Sequence, residues 1–390
     1  MRSLIREQIR TTHQLARGIR KHSILPLRWL DTEQPIATIS APEPAVTYGP
    51  SVAGEAPSES VTLPGVAIYH FENAVVHAHS SAVAVAHRLV VERVPDNPSN
   101  RCDYRMPLIC WHGNRLAIIG DMQRAKIGQG IFLGGNGAFN YYHWLVELVP
   151  KLQAIALLDE FRHWPLLVPY SVTTSPNLME ALRWVAPERS ICVLGVNKAY
   201  RVRELLYINS ATICTFNLRP GYFLHVRDCR LDGSTVDFWR RFESQSTGFL
   251  DTPPRRIFFA RRPGRRNYNQ EEVRSHLTRS GFVPGYAEDL TLREQVALSS
   301  SAEAFAGPSG AAWTNLLFAT NGAVAVSWLP EPYRQFSAYS TLAKATGIAM
   351  EFVIHATTAS TTRQLYDEGY QLDLDSLDTA LDLALAQSRA

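Results

Sequence analysis

The sequence predicts an α/β protein built from two doubly wound layers. From Asn140 onward, short apolar runs of strand length alternate with segments of helical spacing. The alternation restarts after residue 233 as a βαβαβα series. A chain of 390 residues is also long enough for two ordinary domains, each with its own core.

At the N-terminal end, residues 1–28 carry Arg2, Arg6, Arg10, Arg17, Arg20, Lys21 and Arg28 against Glu7 alone. Leu4, Ile5, Ile9, Leu15 and Ile19 share one face at loose helical spacing. A basic amphipathic helix of this kind either lies on an anionic membrane surface or is an ordinary solvated terminus. Residues 33–64, rich in Pro, Ala, Ser and Glu, read as a linker. The run VAIYHFENAVVHAHSSAVAVAHRLVVE alternates as antiparallel strands ending near Pro95, and LAIIG is a further short strand. YYHWLVELVPKLQAIALL has helical spacing, with Pro150 as the point of a bend. Strand LLVP, helix NLMEALRWV and strands ICVL and LLYI follow.

In the second half STVDFWRRFESQ is a helix and RRIFFARR a strand ending in cations. NQEEVRSHLTRSG is a helix closed by Gly281, and FVPG a short strand. TLREQVALSSS is a helix opened by a Thr291–Glu294 capping box. Strand AEAFAG leads into a helix at PSGAAWTNLLF; AVAVSWL, FSAYSTLAKATG and MEFVIH complete the series. The expected division is residues 1–60 (basic helix and linker), 61–232 (first α/β domain), 233–356 (second) and 357–390 (a C-terminal helix packing back across the domains).

Formal net charge is +3, and the chain has no apolar stretch long enough for a transmembrane helix and no signal-peptide pattern. The five cysteines are scattered, odd in number and free of a CxxC pair, which points to buried thiols in a reducing cytoplasm rather than a disulfide framework. A nucleic-acid binder is disfavoured by the near-neutral charge and the absence of a nucleic-acid motif.

Several groups carry candidate chemistry. His143 and Glu147 are four apart, so a regular helix puts them on one face. They suit either a base that deprotonates an acceptor hydroxyl or a local ion pair. Arg261, Arg262, Arg265 and Arg266 follow a strand, where guanidinium groups hold phosphate oxygens at the carboxyl edge of a parallel sheet. The turn Gly307-Pro308-Ser309-Gly310 opens a helix whose free N–H groups favour an anion. Glu288 stands at a strand end, where a carboxylate accepts ribose hydroxyls. Asp373-Leu374-Asp375 resembles a metal-binding DxD, but its place at a helix start makes it a cap.

NYYHWLVELVPKL, FFARRPGRRNYNQEEV and GFVPGYAEDLTLREQVALSSSAEAFAGPSGAAWTNLLF, in this order, resemble glycosyltransferase family 61 over roughly residues 130–330. The resemblance implies a GT-B-like α/β fold: two Rossmann-like doubly wound domains facing a cleft, acceptor lobe first and nucleotide-sugar lobe second. It implies inverting transfer of a sugar from a nucleotide-sugar donor to a saccharide or glycolipid acceptor in cell-surface or capsular polysaccharide synthesis, without a metal or other cofactor. By position it carries over His143 and Glu147 as catalytic residues. The donor set it carries over is Asn140, Arg261, Arg265, Glu288, Gln295, Gly307, Ser309, Gly310, Ala311 and Asn315. Many relatives have His where this chain has Ser309, which opens an alternative: a catalytically degenerate protein that binds a saccharide or a partner. The expected place is the cytoplasm, with residues 1–28 touching the inner membrane face and no nucleic-acid partner.

Overall fold

The computed structural model describes residues 22–93, 101–120, 122–215, 217–246, 252–264, 266–359 and 362–388. The basic segment 1–21 and Arg265 lie outside them. The chain divides into two compact units. The first comprises Met1–Pro42, Pro64–Trp144 and Lys151–Ser210; the second comprises Glu43–Leu63, Leu145–Pro150 and Ala211–Ala390.

The first unit is organised by a sheet with eleven strands among the described residues. One end is parallel, in the spatial order Ile191–Leu194, Leu166–Pro169, Arg124–Phe132, Ala199–Ile208. The helix Pro176–Val185 stands between the first two of these in the chain and buries Leu178, Ala181, Leu182 and Trp184. Beyond Ala199–Ile208 the sheet turns antiparallel through Ala67–Val76, Ala82–Val85 and Arg88–Val91. The expectation of a doubly wound first domain is therefore corrected to a mixed sheet with a parallel end.

Pairing lapses where Asn73, Gly128 and Arg203 lie abreast, and Asn73 adopts a φ of 51°. Val76 pairs with Tyr200 and Ile131 with Leu206, yet Gly135 N–H donates to Ala78 O at 3.0 Å. The sheet bends back on itself between these points. One core accordingly gathers Phe71, Val76, Ala78, Phe132, Leu205 and Tyr207.

Residues 22–63 depart from the expected helix and linker. His22–Trp29 is a strand, parallel to Arg88–Val91 on one side and antiparallel to Leu116–Gly120 on the other. Ala37–Thr38 pairs with the start of Ala67–Val76. Glu43–Tyr48 and Ser58–Leu63 form a hairpin belonging to the second unit, where Tyr48 N–H donates to Thr341 Oγ1 at 3.0 Å and Ser340 Oγ to Tyr48 O at 2.6 Å. Prolines at positions 26 and 44 hid these strands; only Leu27 and Thr47 within the two runs His22–Trp29 and Glu43–Tyr48 are buried.

The second unit carries the doubly wound layer that the sequence predicts. Five parallel strands stand in the order Val283–Gly285, Arg256–Phe259, Ala304–Pro308, Val324–Pro330, Ala349–His355. In chain order this is 2-1-3-4-5, so the winding reverses between Arg256–Phe259 and Ala304–Pro308. The helices Gln270–Arg279, Leu292–Ser301 and Ala338–Thr346 fill the crossovers. Gly281 (φ 82°) and Gly347 (φ 74°) take the left-handed conformation that ends helices, and the Thr291–Glu294 capping box is formed. The C-terminal helix Leu374–Gln387 packs within this unit. Its Leu377, Ala380, Leu381 and Ala384 join Val326, Trp328 and Val353 in one core.

The expected boundary at 232 falls at Ser210/Ala211 instead. The helix Ser234–Arg240 buries Trp239, whose indole N–H donates to Leu145 O at 2.6 Å and whose ring meets Phe318 edge-on at 6.1 Å. The two-residue strands Ile213–Cys214 and Cys229–Arg230 pair antiparallel and set Cys214 opposite Cys229. Their sulfurs form a disulfide, while Cys102, Cys110 and Cys192 are free thiols. This corrects the expectation of five thiols, and it sits poorly with a reducing compartment, where disulfides are rare. None of the described helices is long and apolar enough to cross a membrane.

With a sequence separation of 15 between the half-cystines, loop-closure entropy assigns the bridge about 3 kcal/mol. Cys214→Ser is expected to lower unfolding stability by about that amount. Intact-mass measurement under denaturing, non-reducing conditions should find one disulfide and three alkylatable thiols in the parent chain.

Candidate functional site

In an open parallel sheet, ligands bind outside the carboxyl ends of the strands where the winding reverses. In the second unit that point lies between Phe259 and Pro308. The two strands approach closely there: a Cβ added at Gly307 would lie 2.8 Å from Phe259 Cβ, so only glycine leaves the strands at this spacing.

Arg261 follows Phe259 by two residues. Its backbone N–H donates to Gln270 Oε1 at 3.0 Å, and its Nη2 donates to Ser309 O at 2.6 Å, so the side chain reaches across to the neighbouring turn. A Cβ on Gly310 would stand 3.1 Å from that same Nη2. Burial, and after it the proximity of Arg266, pulls the Arg261 guanidinium below its ordinary pKa; the rings of Tyr370, Tyr268 and Tyr339 oppose this. Arginine stays protonated across the physiological range even so. The result is a desolvated cation beside a second cation, in a pocket also lined by Ser309, His355, Glu368 and Tyr370. One wall is an aromatic stack: His355 lies on Tyr370 at 3.8 Å, and Tyr370 on Tyr268 at 5.3 Å, with interplanar angles of 8° and 7°. Glu368 is turned toward the loop behind it, accepting from the Thr357 and Thr358 hydroxyls and from the N–H groups of Thr358 and Ala359.

A phosphate-sized anion suits this arrangement, since guanidinium pairs and a strand-to-helix turn supply charge and donors together. The segment Ala311–Phe318 is a 3-10 helix, and it opens directly after Gly310. Ala311 thus takes the first position of the turn, as expected. Residues 141–326 match the family model for glycosyltransferase 61. That region of the chain is similar to glycosyltransferase family 61. No curated protein matches it at a significant level.

Within the glycosyltransferase 61 region the structure separates the residues singled out in the sequence. Arg261, Ser309 and Gly310 come together at the strand reversal, with Gly307 just behind. Arg265 lies outside the described residues. Glu288 is half-exposed and faces Arg262 at 3.7 Å; Arg262 also pairs with Asp289 and lies over the Tyr286 ring at 4.8 Å. The carboxylate of Glu288 thus serves a surface cluster.

Gln295 and Asn315 are 4% and 1% exposed, and they hold each other. Gln295 Nε2 donates to Ala287 O and Leu290 O at 3.0 and 3.2 Å, while its Oε1 accepts from Asn315 Nδ2 at 2.9 Å. These bonds tie the helix Leu292–Ser301 to the loop before it and to the 3-10 helix. Both residues thus act as an internal clamp. Asn140 is a cap: its Oδ1 accepts from Tyr142 N–H at 2.9 Å. Asp373 caps its helix through Ser376 N–H at 3.0 Å, as the sequence predicts.

The expected catalytic pair, His143 and Glu147, is not on a regular helix. Tyr141–His143 is α-helical, Trp144–Leu148 is a π-turn, and Val149–Lys151 tightens to 3-10 at Pro150. π-turns are frequent at functional sites. His143 is 6% exposed in the first unit, packed so closely that a Cβ on Gly137 would lie 2.7 Å from its ring. Glu147 is half-buried in the second unit, and its Oε1 accepts from Cys214 N–H at 2.8 Å.

Gln295→Ala should cost about 2–3 kcal/mol, because it removes three hydrogen bonds made by a buried side chain. A shift of the urea midpoint without a change in nucleotide affinity of the folded fraction identifies a structural clamp. Unchanged stability with lost nucleotide affinity would return Gln295 to the donor set.

Proposed function

We propose that this protein is an inverting, metal-independent glycosyltransferase that takes a nucleotide-sugar donor and a saccharide or glycolipid acceptor of the cell surface. The observation that carries the reading is the Arg261 guanidinium, desolvated at the reversal of a parallel sheet beside Arg266 and bridged to Ser309 O. In the proposed complex a nucleoside diphosphate brings negative charge to Arg261 and Arg266. Charge grows on the diphosphate as the glycosidic bond breaks, so cations fixed there stabilise the transition state more than the ground state. The flat face of His355, already stacked on Tyr370, offers the nucleoside an aromatic surface at the same pocket.

The acceptor hydroxyl attacks the anomeric carbon from the side opposite the diphosphate and must lose a proton. Of the two candidate bases His143 is nearly closed to solvent, whereas Glu147 is half-buried. The reading therefore gives deprotonation to Glu147, oriented by Cys214 N–H, and makes His143 the residue that supports the Gly137 turn.

Calorimetric titration with UDP, GDP, CDP and ADP tests the donor half. At least one should bind, and Arg261→Ala should weaken it by about 10- to 100-fold, the worth of a charge-assisted bond. Absence of binding by all four nucleotides would remove the reading. In a nucleotide-release assay Glu147→Gln is expected to reduce kcat by about 100-fold or more with donor KM little changed. Nucleotide binding with no turnover in the parent chain would favour the degenerate, saccharide-binding alternative.

A further inference from the structure

The first unit has its own open edge, formed by side chains that the sequence patterns left unmarked. The strand Arg124–Phe132 runs into the loop Leu133-Gly134-Gly135-Asn136-Gly137, and its parallel neighbour Leu166–Pro169 runs into Tyr170 and Ser171. The loop is pressed against residues 77–81. A Cβ on Gly134 would stand 2.7 Å from Ala78 O, and one on Gly135 2.8 Å from Ser81 Oγ. Asn136 and Ser81 exchange hydrogen bonds, Ser81 N–H to Asn136 Oδ1 at 3.2 Å and Asn136 N–H to Ser81 Oγ at 3.1 Å. The edge is therefore built rigidly.

Three rings and a hydroxyl stand on it. Phe139 and Tyr170 are 52% and 54% exposed. The His79 ring meets Phe139 edge-on at 5.8 Å, and its Nε2 stands 3.5 Å from Ser171 Oγ. Its Nδ1 has no hydrogen-bond partner. The ring is thus held by one long contact, while its backbone N–H is fixed to His77 Nδ1 at 3.2 Å and His77 Nε2 to Val196 O at 2.9 Å. Half a turn of the His79 ring exchanges Nδ1 for a carbon and breaks no strong bond. Burial lowers the His79 pKa, so the imidazole is neutral at neutral pH, a donor at one nitrogen and an acceptor at the other.

Exposed aromatic faces beside uncharged groups that both donate and accept match the two surfaces of a sugar ring, its C–H face and its hydroxyls. A phosphate or carboxylate ligand would call for a cation here, and an acyl chain would not use the hydroxyl and the imidazole. We infer that Phe139, Tyr170, His79 and Ser171 form a binding platform for an uncharged saccharide, the acceptor glycan of the transfer. The choice of ligand rests on the glycosyltransferase reading; the platform itself rests on this edge alone. His79 and Ser171 act here as positioning residues for sugar hydroxyls.

The test uses the full chain and saturation-transfer NMR against neutral pyranoses (glucose, galactose, mannose, xylose, N-acetylglucosamine) and their disaccharides. At least one should bind. Phe139→Ala and Tyr170→Ala, both at exposed positions, should each weaken it by tenfold or more, with Phe139→Tyr and Tyr170→Phe restoring affinity. His79→Ala should weaken binding with circular dichroism unchanged, and none of these variants should change nucleotide affinity by more than twofold. No binding by the parent chain, or saccharide affinity indifferent to both aromatic truncations, overturns the platform. Saccharide binding lost on truncation in a protein that binds no nucleotide would uphold the platform while removing the proposed donor reaction.

Discussion

A half-buried guanidinium beside another cation is the constraint around which the second unit is arranged. Charge in that position is costly unless oriented dipoles and a counter-charge meet it. The Ser309 carbonyl meets one N–H of Arg261, and Tyr370, Tyr268 and Tyr339 act on it electrostatically. The geometry depends on two adjacent strands whose closest approach has a glycine on one side. It also depends on the winding reversing at that spot, so that both following turns are open at the same edge. The glycine, the reversal and the cation support one another: displacing any one would leave the other two without purpose.

The second layer was readable because its sequence is locally consistent. Apolar runs of strand length are punctuated by Gly281 and Gly347 in the left-handed conformation and by a Thr–Glu box, and local signals of this kind survive in a single sequence. Strand order was not readable, since a parallel pairing partner is chosen by the whole sheet. The strands of residues 22–63 were missed for a different reason. Glu43–Tyr48 buries Thr47 alone, so its pattern is that of a linker even though its hydrogen bonds are those of a hairpin. The same limit hid the bridge between Cys214 and Cys229, which follows from the register of a two-residue ladder and not from spacing.

The site was legible in its charge and less so in its polar contacts. Arg261 and the Gly307–Gly310 turn meet as their positions at strand ends suggested. The helix carrying His143 and Glu147 was read as regular, whereas a π-turn lowers the rotation per residue just where the pair stands. His79 gave no signal at all, lying in a run whose alternation reads as strand; only the folding back of the sheet brings it to the glycine loop.

The mutual embrace of Gln295 and Asn315 has an implication for reading ancestry. Losing either amide breaks a buried hydrogen bond between them, so the two should change in concert across related chains, and a relative that has lost enzymatic power would still keep both. Their presence in a sequence attests to inherited architecture; evidence of inherited chemistry has to come from the arginine.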